Sequence, residues 1–145
     1  MKHEILVYNK TPQKTPKKFI ENVILRALDF IKLKQPVELA VLVVSKEEIK
    51  RLNKIWRKKN EIPDELSFGL NSRSPAIGAG LARFNKNMLS LGEIVINAGK
   101  ISDRNYLRAI LIHSLLHLLG YDHEKSAAKA RKMEQLETKI LKHVA

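Results

Sequence analysis

The sequence predicts one domain of the α+β or α/β class, and three observations carry that reading. At 145 residues the chain has the length of an ordinary single domain, large enough to bury a core without a disulfide or metal staple. Short β-rich apolar runs alternate with stretches whose apolar residues recur at helical spacing. No internal repeat, low-complexity tract or linker divides the chain.

Ile5-Leu6-Val7-Tyr8, closed by Asn, Thr and Pro, reads as a short buried strand. Residues 17 to 33 place Phe19, Ile20, Val23, Ile24, Ala27, Leu28 and Ile31 on one helical stripe. Val37 to Val44 is nearly all apolar, as suits a central strand covered on both faces, and the strand–helix–strand opening favours a parallel pair. Ser45 with Glu48 forms a capping box for a second helix that should turn Ile49, Leu52, Ile55 and Trp56 inward. Pro63 closes that region. Leu66 to Leu70 and Leu91 to Asn97 read as two further strands, and the irregular 71 to 90 segment between them as a long loop, more often functional than idle. Ser102 or Asp103 should cap a third helix to about Leu119, and 125 to 142 a fourth.

Lys and Arg number 27 against 15 Asp and Glu, a formal charge of +12, with 44% of residues apolar. That is too apolar for disorder and cationic enough to attract polyanions. The absence of Cys excludes disulfide scaffolds, thiolate zinc sites and cysteine nucleophiles, so any metal must be held by N and O ligands. The N-terminus, Met1-Lys2-His3-Glu4, lacks the pattern of a signal peptide, and the apolar stretch 109 to 119 is too short to span a membrane. The expectation is a soluble cytoplasmic protein.

The chemistry is concentrated in His113-Ser114-Leu115-Leu116-His117-Leu118-Leu119-Gly120-Tyr121-Asp122-His123. Four residues advance a helix by roughly 400°, so His113 and His117 project from one face a turn apart. Gly120 can take the left-handed conformation that stops the helix and lets the chain bring His123 back toward the pair. Three His with an open fourth position is the arrangement of catalytic zinc, where a water fills the vacancy. A lone His in an apolar helix is usually a packed core residue, but three of the five His fall in this one segment. The spacing equals that of the metzincin peptidases, H-E-x-x-H-x-x-G-x-x-H, except that position 114 is Ser. A serine hydroxyl is a poor proton acceptor, which disfavours that peptidase mechanism while leaving the metal site intact.

The same segment resembles the H-G-x-L-H-L-x-G-Y-D-H box of the YbeY endoribonucleases. Leu52-Asn53 with Arg57, followed by Asp64-Glu65-Leu66-Ser67-Phe68, is similar to that family's L-N-x-x-x-R and T-D-V-L-S-F segments. Leu91-Gly92-Glu93-Ile94-Val95-Ile96 is similar to its L-G-D-I-x-I strand, and Met133 to Leu141 to its M-E-x-x-E-x-x-I-L helix. Departures are Ser114 for Gly, Pro63 for Thr, Glu65 for Val and Glu93 for Asp. Glu65 puts a charge where a strand residue is normally apolar; on an edge strand it would face solvent and discourage edge pairing.

The resemblance implies an α+β fold over residues 1 to 145, a single metal-dependent endoribonuclease domain. A mixed four-stranded sheet would pack with about four or five helices, one of them a zincin-like His-bearing helix. It implies one Zn²⁺ ion held by His113, His117 and His123, with Arg57 and His113 as catalytic residues. It also implies single-strand-specific cleavage of RNA, chiefly rRNA in 16S maturation and ribosome quality control, with the ribosome or its small subunit as partner and neither DNA nor membrane. Asp122 is a candidate to orient a ligand His, although an Asp in a turn is more commonly a cap.

From the residues themselves, Lys46, Lys50, Arg51, Lys54, Arg57, Lys58 and Lys59 concentrate positive charge, which favours phosphates and predicts salt-sensitive binding. Such a run at a helix end is also a common solvated, dipole-complementing terminus. Arg57, Lys58, Lys59, Arg73 and Arg83 are the candidate RNA contacts. Phe68, Phe84 and Tyr121 are candidate stacking platforms, and Trp56 is expected to pack. Two other readings remain open on the sequence: a zinc metallopeptidase with Glu93 as base, and a non-catalytic ribosome-binding module with a structural metal.

Overall fold

The structure, a computed structural model, describes residues 2–69, 88–121 and 126–145. In chain order its elements are β1 (Glu4–Asn9), α1 (Lys17–Ile31), β2 (Val37–Val44), α2 (Lys46–Arg57), β3 (Glu65–Phe68), β4 (Leu89–Asn97), a short 3-10 turn (Ala98–Lys100), α3 (Arg104–Leu118) and α4 (Ala127–Val144). The strands form one sheet in the order β1-β2-β4-β3, with β1–β2 and β2–β4 parallel and β3–β4 antiparallel. This is the mixed four-stranded α+β arrangement.

Side-chain alternation divides the core between the two faces of the sheet. Leu39, Val41 and Val43 of β2 and Ile94 and Ile96 of β4 pack against α1, α3 and α4. Leu42, Val44, Val95, Leu66 and Phe68 turn the other way and bury Ile49 and Leu52 of α2. Such fully buried aliphatic and aromatic side chains contribute about 1.5–3 kcal/mol each. Helix starts follow the predicted caps: Ser45 accepts from the Glu48 N–H at 3.1 Å, and Asp103 accepts from the Tyr106 N–H at 3.1 Å. Trp56 packs against the α2 core, whereas Ile55 is 46% exposed rather than turned inward. It lies about a quarter of a turn from the centre of the Ile49–Leu52–Trp56 stripe, on the flank that turns away from the sheet.

β4 begins at Leu89, two residues before its predicted start, and the reason is a bulge. Pairing steps from Glu38–Ser90 to Leu39–Gly92, leaving Leu91 unpaired. Gly92 takes φ +112°, and a Cβ there would stand 2.1 Å from the Phe68 carbonyl oxygen. Only glycine lets β3 approach at this point. Among the described residues no helix is long and apolar enough to cross a membrane.

Candidate active site

α3 ends at the centre of the site, and its sequence determines how. Gly120 (φ +99°) donates its N–H to the His117 carbonyl, and Tyr121 donates to the Leu116 carbonyl, both at 3.0 Å. This double closure is the Schellman arrangement, and it stops the helix at Leu118 with Leu119 as its cap, just before the glycine, as the glycine predicts. His113 and His117 then stand a turn apart with their Nε2 atoms 3.1 Å from each other and their rings nearly perpendicular, at 80°. Metal–nitrogen bonds of about 2.0–2.1 Å would meet such a pair at an angle of about 100°, which a tetrahedral ion accepts. The donor pair therefore fits two corners of a zinc site. Among the described residues no group of three His, Asp or Glu could hold an ion. His123 and Asp122 lie outside the described residues, as do Arg73, Arg83 and Phe84.

Glu137 of α4 completes the histidine side. Its Oε1 lies 2.9 Å from His113 Nδ1. A carboxylate can only accept here, so Nδ1 carries the hydrogen and Nε2 keeps its lone pair for an electrophile. Sequence reasoning gave Glu137 no role beyond its place in the Met133 to Leu141 segment. A signal was present, because Met133, Ile140 and Val144 are buried at helical spacing and Glu137 falls on that stripe. A carboxylate on an apolar stripe needs a partner, and His113 supplies it.

The opposite wall comes from α2 and β3. Arg57, the last residue of α2, donates from a guanidinium nitrogen to the Ser67 carbonyl at 2.5 Å, and its guanidinium carbon lies 4.8 Å from the centre of the Phe68 ring. Both contacts anchor the side chain across the outer edge of the sheet. The helix end that carries it is closed by Lys58 in the left-handed conformation, whose N–H returns to the Asn53 carbonyl. Asn53 is buried, and its side-chain amide donates to the Glu61 carbonyl at 3.2 Å, pinning the chain on its way into β3. Beyond it, Asn97 clamps that entry by backbone and side-chain bonds to the carbonyls of Asp64 and Pro63. Tyr106 of α3 donates to the Asp64 carboxylate, which holds its phenol above the usual tyrosine range.

Leu66 and Phe68 face α2, so Glu65 and Ser67 face α3. Glu65 does not simply face solvent, although β3 is the edge of the described sheet. Its Oε2 accepts from Ser114 Oγ at 2.7 Å and from Ser67 Oγ at 3.1 Å, so two departures from the family pattern are in contact. Between these walls runs a cleft of about 770 Å³ lined by Arg57, Lys59, Glu65, Ser67, His113, His117 and Tyr121, among others.

Of the predicted RNA contacts, Arg57 and Lys59 line the cleft, while Lys58 is exposed at the helix cap and does not line it. Phe68 is 1% exposed beneath Arg57, so it cannot offer a face to a base, whereas Tyr121 borders the cleft. Glu93 alternates with Ile94, shares the α2 face with Val95 and does not line the cleft, which removes it as a base for the histidine site.

The family model for Endoribonuclease YbeY matches residues 5–145. The chain belongs to the YbeY family. Curated members similar to it include Endoribonuclease YbeY of Thermodesulfovibrio yellowstonii, 38% identical over 130 residues covering 82% of this chain and 76% of that protein. The Sulfurihydrogenibium YbeY is 32% identical over 142 residues, 96% of this chain and 91% of the relative. A solution structure from Thermotoga maritima superposes with a TM-score of 0.58 at 24% identity, covering 97% of this chain and 88% of that one, and so shares its fold. YbeY membership gives no support to the peptidase reading or to that of a non-catalytic binding module.

Proposed function

We propose that this protein is a metal-dependent endoribonuclease specific for single-stranded RNA, acting on ribosomal RNA in the cytoplasm, with 16S maturation and ribosome quality control as its setting. The observation that carries the reading is the cleft in which the Arg57 guanidinium and the His113–His117 pair stand on facing walls. Family membership supports the same activity. Zn²⁺ is the proposed ion, held by His113, His117 and His123. When bound it supplies Lewis acidity to phosphate oxygens and eases ionisation of water.

All other steps fall to the chain's own side chains. Arg57 has five N–H donors, and the bond to Ser67 uses one nitrogen, so its fork can still grip a phosphate and offset charge that grows in the transition state. Lys59 adds a second cation on the same wall. Lys58, Arg73 and Arg83 are proposed to contact the RNA strand, and Asp122 to orient a ligand histidine. Tyr121 offers an aromatic edge to an unpaired base. A charge of +12 suits docking on the small ribosomal subunit through rRNA phosphates.

The test is incubation of zinc-loaded protein with labelled single-stranded RNA, duplex RNA and an unfolded peptide. Internal cleavage of the single strand alone is expected. His113→Ala should abolish cleavage and spare RNA binding, and Arg57→Ala should slow turnover about 10²-fold or more. Peptide cleavage without RNA cleavage would overturn the reading.

A further inference from the structure

In helices carrying the H-E-x-x-H pattern, the residue after the first histidine is the glutamate that takes a proton from the attacking water. Here that residue is Ser114, 0% exposed, and a buried hydroxyl cannot do this work. Its hydroxyl is nonetheless committed: Ser114 Oγ donates to Glu65 Oε2 at 2.7 Å. One C–O bond followed by that hydrogen bond ends about 3.5 Å from the Ser114 Cβ, roughly the reach of a glutamate's own carboxylate from its Cβ. A carboxylate thus stands at the distance from α3 that a glutamate at 114 would give it, but it is delivered by the neighbouring strand.

Three further observations converge. Glu65 lines the same cleft as His113, His117 and Arg57. Ser67 Oγ donates to the same oxygen, Oε2, at 3.1 Å, so both hydroxyls fix one side of the carboxylate and Oε1 takes neither of them. Asn97 clamps the backbone just before Glu65, so the strand that delivers it is held.

We propose that Glu65 is the general base of RNA cleavage in this protein, an inference that rests on the endoribonuclease reading above. As a water oxygen bonds to phosphorus, its proton passes to the Glu65 carboxylate. The bond from phosphorus to the leaving ribose oxygen breaks, and that oxygen takes the proton back from Glu65. One water is consumed and the carboxylate is regenerated. Ser114 and Ser67 are positioning residues that hold the base still.

The deciding variant is Glu65→Gln, which keeps the shape and can still accept from both serines. A merely structural Glu65 predicts normal turnover. The base role predicts a kcat about 10²-fold lower or worse, with KM for RNA, RNA affinity and zinc affinity by chelator competition all unchanged. Glu65→Val, the residue of the similar family segment, should be equally slow. Moving the carboxylate to the helix in the double variant Glu65→Ala with Ser114→Glu should restore part of the rate, and formate added to Glu65→Ala gives the same readout if the double variant does not fold. Turnover of Glu65→Gln within about threefold of wild type overturns the assignment, as does a parallel loss of zinc or RNA affinity that accounts for the slower rate. A wild-type protein that cleaves no RNA would instead remove the endoribonuclease reading, and this inference with it.

Discussion

Removing the carboxylate of Glu137 should weaken zinc binding without unfolding the protein. The perturbation is local, because the Glu137 Oε1–His113 Nδ1 contact of 2.9 Å fixes which imidazole nitrogen keeps its lone pair. Loss of such a partner typically costs 10–100-fold in metal affinity, or about 1.4–2.8 kcal/mol at 1.4 kcal/mol per decade. The structure places this case toward the lower end. The side chains of His113 and Glu137 are 34% and 24% exposed, so water can replace part of the lost hydrogen bond. Glu137→Ala should therefore bind zinc about tenfold more weakly, and Glu137→Gln, which still accepts at Oε1 without the charge, by less. Competition against a chromophoric chelator measures the affinity. Long-range ¹H–¹⁵N NMR of the metal-free protein reads the tautomer, expected as Nδ1–H for His113 in the wild type and mixed in the alanine variant. Unchanged affinity in Glu137→Ala, or an Nε2–H tautomer in the wild type, would refute the reasoning.

Gly92→Ala should destabilise the fold by about 3 kcal/mol in urea unfolding and abolish cleavage, because the new Cβ would meet the Phe68 carbonyl oxygen at 2.1 Å and push β3 off β4. His3 Nδ1 accepts the Val37 N–H at 2.9 Å, and burial holds its pKa below 6.5 against the opposing pull of Asp29. The folded state thus takes up this proton less readily than the unfolded chain, so the stabilisation is complete above pH 6.5 and is lost as pH falls through the depressed folded value. Wild type should lose more stability than His3→Asn between about pH 7.5 and about pH 5.5, read as the larger fall in Tm; parallel curves would sink the assignment.

The local features of this fold were legible because local physics sets them. The Ser45 and Asp103 caps, the Gly120 stop and the His113–His117 face each follow from residues within one or two turns. What escaped the sequence depends on pairings between distant segments. Glu65 reads as a solvent-facing charge on an edge strand until Ser114, 49 residues on, is seen to donate to it. Glu137 reads as one more helix carboxylate until α4 lays it on His113, 24 residues earlier. Ile55 turns inward only if every apolar residue of α2 counts as core, although one stripe holds only Ile49, Leu52 and their neighbours. The β4 bulge escaped for a related reason: a glycine in a strand pattern announces an irregularity but not which partner strand requires it.

The position of the site follows from how an edge strand can be read on three sides. α2 and α3 cover opposite faces of the sheet, so residues on these helices can share a cleft only where the sheet ends. Among the described strands β3 is that end, and its four residues have separate roles. Leu66 and Phe68 anchor it to the α2 core, Glu65 and Ser67 face the histidine helix, and the Ser67 carbonyl holds Arg57. A slip of one residue between β3 and β4 would exchange the faces, burying Glu65 against α2 and turning Phe68 toward the histidines. Gly92 opposes that slip, since the close approach it permits occurs at Phe68 and at the bulge alone. The glycine of β4 therefore acts on the chemistry at a distance, by fixing which face of a four-residue strand His113 and His117 meet.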